Sequence, residues 1–358
     1  YALLRLSESG DVPRLRERHA RYFAGLVTPY PRGDSSGLAE WKAGLICEWE
    51  NIGMAVEWLK EVGEYGTVAR VIAHTWPLIW VESRMRETQP WVDAVLTNPV
   101  GIDRSLLGRV MHVAGFFALE GGEYEAAADL ALQALAIAEE TGDADLEGST
   151  RLIACGALPA FDLLDERLSP YLARAVEVFR DIGDVVHLAY ALNYQSSYHA
   201  ATGGLDAARA SIEEALQLSH SQVVVPVRAQ SLVQLGFVDL AAGEVVAARR
   251  NFEQAMRLEA TPNREVLALL LDGEGLLAVM EGRIIEGLTA FGSAEGLRSR
   301  VGLRPWPLVT SQLSVLRELA DSFDDREAQA ARQAGRELSP AEALGLVRRP
   351  LVDASATG

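Results

Sequence analysis

"EGGEYEAAADLALQALAIAEETGD", residues 120–143, opens on two glycines and then runs on alanine and leucine for five turns. Ala127, Leu130, Ala131, Ala134, Leu135 and Ala138 recur at i, i+3, i+4 spacing, the period of one helix face. A face made mostly of alanine lets a neighbouring helix approach closely. Gly121 and Gly122 allow a tight turn from the preceding helix, predicted over 106–119. The stretch reads as a close-packed helical hairpin.

The hairpin repeats. The small residue late in the second helix recurs as Ala94, Ala134, Ala175, Ala215, Ala255 and Ala294, at steps of 40, 41, 40, 40 and 39 residues. The small residue in the middle of the first helix recurs as Gly115, Gly156, Ser196, Gly236 and Gly275, in the same register. Turn glycines Gly122, Gly203, Gly243 and Gly282 keep phase, with Leu163 at the remaining position. A further column reads Ala127, Leu168, Ala208, Ala248 and Gly287. Several columns sharing one phase describe a helical-repeat array. "VVVP" (223–226) and "ATPN" (260–263) fall between hairpins, where Pro226 and Pro262 forbid one continuous helix.

These residues resemble tetratricopeptide repeats. "GFVDLAAGEVVAARRNFEQAMRLE" (236–259) carries the family's small–Gly–Ala–aromatic–Ala spacing in Gly236, Gly243, Ala248, Phe252 and Ala255. "GEGLLAVMEGRIIEGLTAFGSAEG" (273–296) repeats it with Gly275, Gly282, Phe291 and Ala294. The period near 40 departs from the family's 34 and implies longer helices or longer links. The fold class the resemblance implies is all-α, a right-handed superhelix of tandem antiparallel hairpins.

The flanks carry a second resemblance. "YALLRLSESGDVPRLRERHARYFAGLV" (1–27) reads as two short helices broken at Gly10 and Asp11, followed by a Pro/Gly/Ser-rich loop, "TPYPRGDSSG" (28–37). Residues 48–96 then open with an acidic–Asn–aliphatic–Ala–Trp helix in Glu50, Asn51, Ile52, Ala55 and Trp58. Residues 320–347 hold a Gly–Arg stretch leading into a helix capped by Ser339, with Pro340 at its first position and Glu342 behind. These three segments, in this order, resemble the C-terminal sensor region of bacterial STAND-type signalling ATPases, among them the LuxR-like and AfsR-like transcriptional regulators. The resemblance implies a helical adaptor over 1–38 that follows a winged-helix module, a repeat array over 39–300, and capping helices with a tail over 301–358. It also implies an ATPase module upstream in a longer protein.

Composition narrows the function classes. The 358 residues carry a net charge of −17, with 49% apolar and 23% charged residues. That is globular composition, and its acidity argues against direct nucleic-acid binding, which needs clustered Lys and Arg. No apolar run reaches the roughly 18 residues of a membrane span, so a cytoplasmic protein without membrane contact is expected. Cys47 and Cys155 stand alone on apolar faces and read as buried reduced thiols.

Chemistry-bearing motifs are missing from the sequence. There is no GxxxxGK[ST] phosphate loop, no HExxH or paired metal spacing among six histidines, no CxxC and no GxSxG. The expectation is therefore a non-enzyme with no catalytic residues, cofactor or metal.

In tetratricopeptide arrays the first helix of each hairpin lines a concave groove. Carrying those offsets over gives Trp76 and Trp80, then Arg109, His112, Phe116 and Glu120, then Ile153, Ala157 and Phe161. Tyr190, Asn193 and Ser197 follow, then Gln230, Val233 and Phe237, then Asp272 and Leu276. The functional reading is an aromatic-walled pocket with a few orienting polar groups; the plain alternative is packing between hairpins. Gln195 and Glu274 stand where the repeat takes a packing leucine, so each needs a buried partner or a ligand. Arg84 and Arg86, in "WVESRMRETQPW" (80–91), read as a solvated turn or a docking point for the ATPase core, and His19 as a surface or docking residue.

The resulting expectation is a sensor arm that binds a small-molecule inducer, peptide or protein in its groove and controls the upstream effector. A stand-alone scaffold gripping a protein segment is the alternative, and an enzyme with dispersed catalytic residues a third. Self-association is left open.

Overall fold

The computed structural model describes residues 11–31, 35–82, 84–160, 162, 165–218, 225–258, 264–301, 314, 318, 322 and 326–347. Among them there are helices and no strand. The backbone contacts divide the chain into two compact units. One comprises residues 1–119, 123–154 and 177–184; the other comprises 120–122, 155–176 and 185–358.

The first unit begins with α1 (Val12–Leu26), α2 (Ser35–Cys47), α3 (Trp49–Glu61), α4 (Tyr65–Val81) and α5 (Met85–Thr97). Asp11 and Pro13 start α1 where the sequence places its break; the shorter helix expected before it lies outside the described residues. The loop expected over 28–37 is shorter than read, because α2 already begins at Ser35. Cys47, at the end of α2, is exposed, not buried as expected, while Cys155 is buried. α1 packs on α3, with ion pairs Arg16–Glu61 at 2.8 Å and Arg21–Glu64 at 3.1 Å along the seam. His19 packs against Phe23 with ring planes tilted by 48° and comes within 3.4 Å of Asn51 Oδ1, so it faces α3.

Arg84 is more than a solvated turn. Its guanidinium lies 5.0 Å from the Trp49 ring centre and pairs with Glu87 at 2.9 Å. Glu87 also accepts the Trp49 indole N–H at 2.8 Å, and Trp49 stacks on Trp91. Arg86 is exposed.

α6 (Arg104–Gly121) and α7 (Tyr124–Thr141) form the hairpin on which the sequence reading began. Ala127, Ala131, Ala134 and Ala138 are buried as the spacing requires. Gly122 turns the chain at φ 77°, where an L side chain is strained. The same left-handed φ recurs at Gly203, Gly243 and Gly282, the predicted turn column. Ala94, the first of the alanine column, is only half-buried, and Leu163 lies outside the described residues. α8 (Ala144–Ala157) and α9 (Leu168–Asp181) follow, and each contributes residues to both units.

The second unit is built on three further hairpins: α10 (Val185–Ala201) with α11 (Leu205–Leu218), α12 (Val225–Ala241) with α13 (Val245–Leu258), and α14 (Arg264–Met280) with α15 (Ile284–Val301). Pro226 stands in the first turn of α12, a position that spares it any missing hydrogen bond. The rest of the proline-bearing links lies outside the described residues.

Phe252 of α13 is the keystone of this unit's core. Its ring is buried, and a Cβ built on Gly236 of α12 would overlap its Cε1 atom. A Cβ on Gly273 of α14 would come within 2.6 Å on the same ring. Two helices of successive hairpins therefore approach one phenyl group at positions where any Cβ would force the ring or a helix to shift.

α16 (Arg326–Glu337) lies along α15 by the same device. Gly292 and Gly296 face the Arg332 and Arg336 carbonyls, and Gly335 faces the Thr289 carbonyl, all too close for a Cβ. Glu295 clasps Arg332 at 2.6 Å and Arg336 at 2.9 Å across the seam. α17 (Pro340–Val347) starts with the predicted cap: Ser339 Oγ receives the Glu342 backbone N–H at 3.3 Å, and Glu342 receives the Ser339 backbone N–H at 2.8 Å.

Candidate functional site

The sequence-predicted residues divide between the units. In the first unit Trp76 and Trp80 of α4 stack with ring centres 5.9 Å apart and planes 12° apart. His112 meets Trp76 edge-on at 5.1 Å, and Phe116 meets Trp76 at 5.1 Å and Trp80 at 5.7 Å. His112 and Phe116 are buried and both tryptophans half-buried, so α4 and α6 present one aromatic cluster with two faces partly open.

Arg109 does not join that cluster as a free cation. It pairs with Asp145 at 2.7 Å and Asp143 at 2.7 Å, which lie at the start of α8. Burial works to lower its pKa, yet the two aspartates raise it above its ordinary value. Asp143 also accepts the Ser105 hydroxyl at 2.7 Å and the Leu146 N–H at 3.2 Å. Burial works to raise the Asp143 pKa, but Ser105 and Arg109 hold it low. The group is a capped helix start stapled to α6. Ile153 is buried in the same unit, where it lies against Gly115.

In the second unit Tyr190, Asn193, Tyr194 and Ser197 make one stripe along α10, at i, i+3, i+4 and i+7, and all four are buried. Ser231 of α12 donates to Asn193 Oδ1 at 2.8 Å, and the Ser197 hydroxyl reaches Gln234 Oε1 at 3.5 Å. The seam between α10 and α12 is therefore polar. The Asn193 amide nitrogen is buried and has no hydrogen-bond partner among the described residues. Gln230 lies four residues before Gln234 and is buried too.

Two carboxylates act on the charge of the Tyr194 phenol. Burial pushes the Tyr194 phenol well above its ordinary pKa, and the charges of Glu120 and Glu265 push it further. Glu120 is buried. Glu265, in the first turn of α14, is raised to about 7 by burial, against the opposing charge of Arg298. Arg298 of α15 forms an ion pair with Asp272, which is fully buried.

The remaining predicted residues point elsewhere. Phe237 packs edge-on against Phe252 at 5.5 Å, within the apolar core. Val233 and Leu276 belong to that core as well. Gln195 accepts the Ser211 hydroxyl of its own hairpin at 3.2 Å. Glu274 is raised to about 6 by burial, offset by the charges of Arg249 and Arg283. Ala157 is buried, and Phe161 lies outside the described residues.

Tyr194, Ser231, Gln234, Glu265 and Arg298 were not foreseen. Tyr194 and Gln234 each stand four residues beyond a predicted groove residue, so a wider stripe would have included them. Arg298 comes from a second helix, which the groove rule leaves out. Among the described residues no three His, Cys, Asp or Glu are placed to hold a metal ion, and no helix is long and apolar enough to cross a membrane.

Comparison with known proteins places the fold in context. No protein-family model matches the chain. Two mycobacterial proteins carrying the provisional name HTH-type transcriptional regulator, Mb0914c of Mycobacterium bovis and Rv0890c of Mycobacterium tuberculosis, are each 26% identical over 231 residues, 62% of the chain. The chain spans 26% of the length of these relatives. A Rap protein complexed with competence and sporulation factor superposes with a TM-score of 0.61 at 11% identity, over 94% of this chain and 99% of that one. NprR in complex with its cognate peptide NprX superposes with a TM-score of 0.57 at 11% identity, over 90% of this chain and 88% of that one. At such identities the likeness is one of fold, and the architecture is an all-α array of tandem helical hairpins of the tetratricopeptide kind.

Proposed function

We propose that the chain is a non-catalytic sensor or interaction arm of a transcriptional or signalling regulator, which binds an inducer or a short peptide against α10 and α12. The observation that carries this reading is the Asn193 amide: a buried donor without a partner costs free energy that a ligand carbonyl would recover. Its setting supports the reading, since tyrosines, serines and glutamines line a helical seam that apolar residues would pack better. The likeness to HTH-type regulators and to peptide-complexed repeat proteins agrees with it. Binding would act on an effector module elsewhere in a longer protein, through a difference in affinity between two states of the arm. On this reading the effector is an ATPase of the STAND type.

The test is a thermal melt of the chain against a metabolite collection and a collection of short peptides. A ligand at about 100 times its Kd adds ~2.7 kcal/mol, a rise of a few degrees for a chain of this size. Asn193→Ala should abolish the rise and leave the unliganded melt readable. A screen in which no compound or peptide moves the melt would sink the sensor reading and leave a scaffold for a large protein surface.

A further inference from the structure

Resting on that reading, we infer that the seam between α10 and α12 is a hinge with the Arg209–Asp239 ion pair as its pin, so that an occupant of the seam swings α12–α16 against α10–α11. The apolar core of the second unit is continuous on one side of this seam. One cluster joins Leu232 of α12, Phe252 of α13, Leu270 of α14, Phe291 of α15 and Ala328 of α16. Among the described residues, the preceding hairpin adds to it one half-buried side chain, Leu216 of α11. Phe252 bolts α12, α13 and α14 together, because Gly236 and Gly273 meet its ring too closely for a Cβ. Gly292, Gly296 and Gly335 bring the backbones of α15 and α16 equally close. Interiors packed this tightly transmit strain instead of absorbing it, so α12–α16 move as one body.

The two ends of α12 are tied to the preceding hairpin by unequal bonds. Toward its start the ties are neutral. Ser231 shares its hydroxyl between Asn193 Oδ1 at 2.8 Å and its own Val227 carbonyl at 3.0 Å, and the Ser197 hydroxyl stands 3.5 Å from Gln234 Oε1. Toward its end the tie is charged. Arg209 of α11 pairs at 2.7 Å with Asp239, which is fully buried, and at 3.0 Å with Glu244, just past the turn. Asn251 of α13 donates to the other Asp239 oxygen at 2.7 Å, which fixes the carboxylate within its own hairpin. A neutral hydrogen bond exchanges partners at little net cost, whereas parting a buried ion pair strands a charge. The pair therefore stays closed while the other end opens. Ser231 precedes Asp239 by about 12 Å of helix, so a swing of roughly 10° about the pair carries Ser231 about 2 Å from α10. That travel is enough to exchange the Ser231–Asn193 bond for bonds to an occupant.

The experiment measures distances between paired spin labels by double electron–electron resonance, on the full chain with Cys47→Ser. One pair spans the seam, with labels at Gln217 of α11 and Ala334 of α16; the other lies within the moving body, at Gln254 of α13 and Ala334, and all three positions are exposed. The expected result in the parent is a broader distribution for the spanning pair than for the internal one. Ser231→Leu, a wedge in the seam, should shift the spanning distance by about 2 Å or more and leave the internal distance where it was. Arg209→Ala removes the pin and should broaden the spanning distribution alone. If either variant fails to fold, the other and the parent still test the hinge. A wedge that leaves the spanning distance unchanged, or substitutions that disturb both pairs alike, would overturn the inference. No ligand enters the measurement, so that failure removes the hinge and leaves the sensor reading to the thermal melt.

Discussion

The glycine pair around Phe252 makes a sharp prediction about stability. Exchanging a helix-interior glycine for alanine ordinarily stabilises by about 0.5–1 kcal/mol, because the unfolded chain loses freedom. At Gly236 the added methyl would overlap the Phe252 ring at its Cε1 atom. The ring cannot retreat, since Gly273 leaves only 2.6 Å on its own account. Overpacking of this kind costs about 1–3 kcal/mol, so Gly236→Ala should be a net loss of roughly 0.5–2 kcal/mol. Gly44→Ala is the control: it lies inside α2 with nothing within 4 Å of its built Cβ, and it should gain the usual increment. Repeat arrays need not unfold in one step, so the assay is hydrogen exchange resolved by peptide over 225–280, alongside a urea melt. Phe252→Leu loses packing by itself, but combined with Gly236→Ala it should cost less than the sum, by roughly 0.5 kcal/mol or more. If Gly236→Ala matches or exceeds the parent in protection, or if the double variant is simply additive, the account of the gripped ring is wrong.

Two further predictions concern buried charge. Glu274 is raised to about 6 in the folded chain from an ordinary 4.5, so the folded state holds a proton that the unfolded state releases between those values. Stability from this group is complete below pH 4.5 and is lost as pH rises through 6; Glu274→Gln should flatten that window and gain most above pH 6.5, by up to ~2 kcal/mol in melts followed against pH. Arg298→Ala leaves the Asp272 carboxylate fully buried without its counter-charge and should cost about 3–5 kcal/mol, whereas Arg298→Met with Asp272→Leu should recover most of it. A loss below 1 kcal/mol for Arg298→Ala in a urea titration would show that Asp272 reaches water or another cation.

The array was legible because its causes are local and repeated. Ala134, Ala175, Ala215, Ala255 and Ala294 are fully buried where the columns put them, and the turn glycines adopt the left-handed φ that a short turn demands. Ser339 and Glu342 cap their helix through neighbours three residues apart, a relation that spacing alone expresses. The site was legible only in part. Tyr190 and Asn193 fell on the expected stripe, but Phe237, at an equivalent offset, turned into the core. A shared column fixes where a side chain starts, while its neighbours from adjacent hairpins decide where it goes. Arg109 shows the same limit: its partners lie 34 and 36 residues away, and nothing near it in sequence announces that its charge is spent on them. Cys47 read as buried from an apolar surrounding, yet the open side of α2 leaves it at the surface.

The seam between α15 and α16 has a consequence for how α16 can be held. Backbone meets backbone only where Gly292, Gly296 and Gly335 remove the intervening side chains. Sliding α16 by one residue would drive a Cβ into a carbonyl, and lifting it by an ångström would forfeit the contact along its whole length. Such a seam has one tooth pattern and no intermediate settings. On this geometry α16 is seated on α15 completely or released from it completely, and a force reaching it is answered in an all-or-none way.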